Sequence, residues 1–131
     1  MIIAIDGPSG AGKTTVAKAL AAEIGAKIIH IDDYYDCSVG RLKADEVERD
    51  FGELEAQGGK IIVEGVYSLR FDFAYDLRIF LRVSEQTQLS RIKQRSPDLY
   101  DKYVDVWLPR ENEYFAESKV ADKCDLVLDN E

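Results

Sequence analysis

Five short apolar runs punctuate the chain, and none alternates strictly with polar residues. They are MIIAI (1–5), AKIIHI (26–31), KIIVE (60–64), DLRIFLRV (76–83) and DLVLD (125–129), and most are rich in β-branched side chains. Continuous runs of this length fit strands buried on both faces of a parallel sheet, whereas a half-solvated antiparallel strand would alternate. Between them the apolar spacing changes to three and four. Lys13 to Ile24 sets Val16, Leu20 and Ile24 four apart, with Ala17 and Ala21 beside them and Gly25 as a stop. Residues 43–57 carry Val47, Phe51 and Leu54 on one face and end at Gly58-Gly59. Ser84 can cap a helix bearing Leu89 and Ile92. A last helical pattern, from about Asp98 to Lys119, carries Leu99, Tyr103, Val106 and Trp107, and Pro109 is expected to break or kink it.

Strands and helices thus alternate from end to end. That order predicts an α/β fold: a five-stranded parallel sheet with right-handed crossovers, sandwiched between helices in three α/β/α layers. No repeat, linker or low-complexity segment intervenes, so residues 1–131 read as a single domain.

Composition narrows the partners. The net charge of −8 argues against a broad nucleic-acid footprint, which demands clustered Lys and Arg. A small anion needs only a local positive site and is not excluded. No run approaches the ~20 apolar residues of a membrane span, and the first apolar run is broken by Asp6, so neither a membrane segment nor a signal peptide is expected. Cys37 and Cys124 lack metal-ligand spacing; reduced thiols fit a cytoplasmic location.

The candidate chemistry begins at residue 7. Gly7-Pro8-Ser9-Gly10-Ala11-Gly12-Lys13-Thr14 satisfies G-x-x-x-x-G-K-[ST], after a predicted strand and at the start of a predicted helix. Glycines let backbone N–H groups approach phosphate oxygens, and the helix start adds its positive dipole end. The expected ATP phosphate-binding residues are Gly7, Ser9, Gly10, Ala11, Gly12, Lys13, Thr14 and Thr15. Lys13 would reach the β- and γ-phosphates, and the Thr14 hydroxyl would ligate Mg²⁺.

In open parallel sheets, ligand chemistry gathers at the carboxyl ends of strands near the point where strand order reverses. Two acidic positions stand at such ends: Glu64 closes KIIVE, and Asp32-Asp33 follow AKIIHI. Glu64 falls where a metal-organising acid is expected, although a solvated strand-end carboxylate is the plainer alternative for both positions. His30, the single histidine, reads as packed or hydrogen-bonded. Arg91, Lys93 and Arg95 form a basic helical stretch in an acidic chain, either a solvated face or a mobile cationic lid.

Four segments in order, AIDGPSGAGKTTVAKALA, HIDDYYD, IIVEGVYSLR and YDLRIFLRVSEQTQLSRIKQR, resemble the uridine kinase and phosphoribulokinase-like group of P-loop kinases over most of the chain. The resemblance implies a nucleoside-kinase-like fold. It also implies transfer of the γ-phosphate of MgATP to a hydroxyl of a nucleoside-like or other small metabolite. On that basis Lys13, Asp32 and Arg95 are the expected catalytic residues, with Asp32 as the base for the acceptor hydroxyl. Thr14, Glu64 and Asp32 form the expected metal set. Tyr34 and Tyr35 would lie near the acceptor, with Tyr67 as a further pocket aromatic, and Arg91 would share the lid face of Arg95.

The chain departs from that group in its short stretch between the Asp32 and Glu64 strands, which has no His-Pro-Asp-type acceptor segment, and in Ser96-Pro97 after Arg95. Two alternatives stay open. The loop segment also resembles cytidylate kinases, which phosphorylate nucleoside monophosphates and would need arginines around the acceptor; Arg41 and Arg49 are those available in residues 34–60. An ATPase or switch module without a metabolite acceptor is the other. A homo-oligomer is compatible with the sequence, which does not name the acceptor.

Overall fold

In the computed structural model, which describes residues 1–131, all five apolar runs are strands. β1 (Ile2–Asp6) leads into α1 (Lys13–Ile24), and β2 (Ala26–His30) follows. A 3₁₀ turn at Ile31–Tyr34 then opens a small hairpin that the apolar pattern does not announce, β3 (Tyr35–Asp36) and β4 (Arg41–Leu42). Next come α2 (Ala44–Ala56), β5 (Lys60–Glu64), β6 (Leu77–Arg82) and α3 (Glu85–Arg95). A long helical stretch, α4 (residues 100–117), and β7 (Leu126–Asp129) complete the fold.

The large sheet has the order β2-β5-β1-β6-β7, and every pairing is parallel. The three central positions go to the most apolar runs. Ile3, Ala4 and Ile5 of β1 and Ile61, Ile62 and Val63 of β5 are all buried. On one face Ile3, Ile5, Ile62, Ile79 and Leu81 receive Val16, Ala17 and Leu20 of α1. On the other, Ala4, Ile29 and Val63 receive Val47 and Phe51 of α2. Phe51 stacks on Phe73 with ring centroids 3.7 Å apart, and Phe80 meets Phe115 of α4 edge-on. These contacts make the three layers.

Two expectations need correction. DLVLD is not buried on both faces: Leu126, Val127 and Leu128 are all exposed, because β7 is an edge strand with β6 as its single neighbour. Pro109 does not break its helix. The backbone winds as a π-helix over Tyr103–Trp107 and resumes as α-helix at Leu108, so the proline falls in a first helical turn, where its missing N–H is tolerated.

Candidate active site

β1 is the strand at which the order of the sheet reverses, so its carboxyl end opens between β5 and β6. The phosphate loop starts there. Gly7 has φ 147°, and a Cβ on it would lie 2.5 Å from the Leu81 carbonyl oxygen, which restricts this position to glycine.

Four consecutive loop carbonyls each accept a side-chain donor. Pro8 O accepts from Lys13 Nζ at 2.8 Å, Ser9 O from Gln88 Nε2 at 2.8 Å, Gly10 O from Arg91 Nη1 at 3.0 Å and Ala11 O from Asn130 Nδ2 at 2.8 Å. Pairing the carbonyls holds the loop in shape. Three of its amides are also paired within the chain: Gly7 N–H donates to Asp6 Oδ1, Ala11 N–H to Pro8 O, and Ser9 N–H to Glu111 Oε1 at 2.8 Å, with the Ser9 hydroxyl donating to Glu111 Oε2 at 2.6 Å.

Lys13 is buried, and burial pulls its ammonium below the ordinary lysine range. The carboxylates of Glu111, Asp6, Asp32 and Glu64, in decreasing order, oppose that shift. Asp6 is fully buried and fully bonded: Oδ1 accepts from Gly7 N–H, and Oδ2 accepts from Leu69 N–H and from the Tyr114 hydroxyl at 2.8 Å. Burial raises its carboxyl despite those bonds. It ties the end of β1 to the segment after β5 and to α4.

Thr14, at the exposed side of α1, donates its hydroxyl to Glu64 Oε1 at 3.1 Å, and His30 Nδ1 lies 2.7 Å from the same oxygen. The expected hydrogen-bonded role of His30 is therefore toward Glu64. No three His, Cys, Asp or Glu side chains gather as a metal site. A hydroxyl beside a carboxylate is a hard-oxygen pair of the kind Mg²⁺ takes together with substrate phosphates and water, so these residues fit that ion. Thr15 is exposed one position further along α1.

Beside the loop lies a pocket of about 220 Å³ lined by Ser9 and Asp32. Tyr35 from the hairpin, Tyr67 from the segment after β5, and Tyr103 and Trp107 from α4 supply aromatic walls. Arg110 is its one cationic lining residue, and Glu111 adds a second carboxylate. Tyr103 and Trp107 meet edge-on at 4.6 Å, a pairing set by the π-wound turn.

Three residues sit differently from the sequence expectation. Tyr34 does not line this pocket: its hydroxyl donates to Asp50 of α2 at 2.6 Å, because the 3₁₀ turn aims it at the helix. Arg91 clamps Gly10 O and, at 2.7 Å, Asn130 O, so it braces the loop where a mobile lid was expected. Arg95 is exposed and lies over the Tyr103 ring, with Nη2 3.4 Å from the Tyr103 hydroxyl.

Gln88, Asn130 and Glu111 were not legible as site residues. Nothing in a one-dimensional pattern separates them from a solvated helix face or a polar residue after a strand. Asp6 did carry a signal, an acid closing the most buried run.

The loop, its strand order and the Thr14–Glu64 pair define a P-loop domain of the kinase fold. The family model described as an AAA domain matches residues 3–114, and the chain belongs to that family. A protein named "Putative adenylate kinase" from Pyrococcus furiosus is 37% identical over 102 residues, covering 72% of this chain and 56% of the relative. A "Cytidylate kinase" from Ignicoccus hospitalis is 25% identical over 126 residues, covering 84% of this chain and 73% of the relative. The chain thus spans little more than half the length of the adenylate kinase-named relative. Among solved structures, a deoxyadenosine kinase from M. mycoides with bound dATP superposes with a TM-score of 0.63 at 23% identity, over 99% of this chain and 91% of that one. A structure titled as a possible uridine kinase from Bacillus stearothermophilus superposes with a TM-score of 0.60 at 15% identity, over 98% and 88%. At these identities the structural matches establish the fold alone.

Proposed function

We propose that this domain transfers the terminal phosphoryl group of ATP to a hydroxyl of a small acceptor seated in the aromatic pocket, in the manner of a nucleoside or related metabolite kinase. The observation that carries this reading is that one pocket is lined both by Ser9 of the phosphate loop and by Asp32. An acceptor held there has a carboxylate beside it and the phosphate loop in front of it.

The loop amides and Lys13 would hold the triphosphate. Asp32 orients the acceptor hydroxyl and takes its proton as the new O–P bond forms, while the bond between the β–γ bridging oxygen and the γ-phosphorus breaks and ADP leaves. A divalent ion held by Thr14 and Glu64 would neutralise phosphate charge. Arg95, exposed over the Tyr103 ring of the pocket wall, would stabilise charge on the transferring group. Such a transfer is dominated by positioning and electrostatics.

The names of the sequence relatives favour a second reading, a nucleoside monophosphate as acceptor. That acceptor would bring a phosphate into a pocket whose lining holds Asp32 and Glu111 against Arg110 alone. This charge balance is the reason the hydroxyl acceptor leads.

The test is ADP release from MgATP against nucleosides, pantothenate-like alcohols, sugars and nucleoside monophosphates, with a no-acceptor baseline. Asp32→Asn should leave ATP affinity unchanged and cut hydroxyl-dependent turnover by about 10²-fold or more. Turnover with a monophosphate that survives Asp32→Asn would move the assignment to the second reading. Steady hydrolysis unaffected by any acceptor would defeat both.

A further inference from the structure

The Ser9–Glu111 contact is not part of the mechanism above, and it stands where the mechanism needs a free donor. A phosphate loop works by offering amides to an anion. The Ser9 amide is instead taken by a carboxylate from a distant helix of the chain itself. Glu111 is only 6% exposed, and both its oxygens are engaged by Ser9, at 2.8 Å from the amide and 2.6 Å from the hydroxyl.

The contact is built in. One helical turn further along α4, the Tyr114 hydroxyl bonds Asp6 at the root of the loop, so the helix is anchored to the loop beside the contact. Lys13 attracts the carboxylate, Asp32 repels it, and Tyr67 and Tyr103 line the same pocket.

The position of Ser9 says which phosphate is affected. Ser9 lines the acceptor pocket with Asp32, so its amide lies at the acceptor end of the loop. A nucleotide in the same loop would present its terminal phosphate at that end and its inner phosphates deeper, toward Gly12 and Thr14, with Lys13 between the β- and γ-phosphates. We infer that Glu111 is an internal competitor for the terminal phosphate, which sets how strongly the site prefers a triphosphate over a diphosphate.

The γ-phosphate of ATP must displace Glu111 from Ser9, and ADP need not. Two anions cannot share one amide in a desolvated site without a large repulsion. Because Glu111 also lines the acceptor pocket, its displacement changes that wall only when a transferable phosphate is present. This inference rests on the reading of the pocket as the acceptor site.

The test is isothermal titration of the intact protein with MgATP and MgADP, for the wild type and Glu111→Gln. The substitution keeps the shape and removes the charge. ATP affinity should rise about fivefold or more, while ADP affinity changes less than about twofold. Ser9→Ala, which removes the hydroxyl bond and keeps the amide, should move ATP affinity the same way by a smaller factor, and covers the case of Glu111→Gln failing to fold. If both nucleotides bind as in the wild type, or both weaken together, Glu111 is a brace of the loop and the inference is overturned. Loss of turnover in Glu111→Gln with no gain in ATP affinity would overturn it too, in favour of a role as base. Acceptor-stimulated turnover of the wild type is scored separately: its absence defeats the kinase reading without altering the ATP-to-ADP ratio.

Discussion

The two sides of the site are held by different forces. On the nucleotide side, every carbonyl from Pro8 to Ala11 takes a directional hydrogen bond from a side chain of α1, α3 or the residue after β7. On the pocket side, cations lie over two lining rings, Arg95 over Tyr103 and Lys102 over Trp107, 5.8 and 5.7 Å from the ring centroids. Hydrogen bonds fall off steeply with angle, whereas a cation is attracted to a ring face anywhere within about 6 Å of its centroid. Under the proposed function, a phosphate chain of one shape would meet the hydrogen-bonded cradle, and varied acceptors would meet the less directional aromatic walls.

This contrast can be broken from either side. The largest effect should come from Lys13→Ala, expected to lower ATP-dependent turnover on the order of 10³-fold, since it removes the cation at the developing phosphate charge; an unchanged steady-state rate would mean that the loop is not the nucleotide site. Arg91→Ala should come next. It leaves the Gly10 and Asn130 carbonyls without that donor and should weaken ATP binding about tenfold, with the acceptor KM unchanged. If the acceptor KM shifts instead, Arg91 belongs to the lid after all. Trp107→Ala should do the reverse, raising the acceptor KM about fivefold through lost aromatic contact while ATP affinity, read by calorimetry, stays put.

The smallest effect is a matter of pH. Burial raises the Glu111 carboxyl above the ordinary glutamate value. Folding therefore favours its protonated form. That contribution is fully present below the unfolded value of about 4.3 and is lost as pH rises through the higher folded value. Glu111→Gln carries no charge to bury, so its Tm relative to the wild type should climb as pH rises above about 4.3. A difference that stays flat across that range would mean that Glu111 ionises as freely in the fold as out of it.

The strands, the helices and the phosphate loop were legible because each is written in consecutive residues. Apolar runs report burial directly, and G-x-x-x-x-G-K-[ST] is a local backbone demand. The acceptor side was legible only in part. Tyr35 and Tyr67 do line the pocket, but Tyr34, next in sequence to Tyr35, turns to Asp50 because a 3₁₀ turn rotates successive side chains apart. Arg91 and Arg95 share a basic stretch, yet one braces the loop and the other lies on Tyr103. Glu111 and Asn130 act through partners that no spacing rule connects to them. What escaped the sequence was pairing across the sheet, not the chemistry of any one residue.

The loop looks like one uninterrupted stretch, yet its bonds reach partners 79, 81, 102 and 119 positions away. β1, the first strand in sequence, is the middle strand in space and pairs with β5 and β6, both formed from much later residues. Long-range pairings must bear their loop-closure entropy before they are rewarded, so they complete late in folding. A nascent chain therefore carries the motif long before it carries the site. Nucleotide binding therefore reports the assembled loop, and nucleotide present during refolding stabilises the folded chain by mass action.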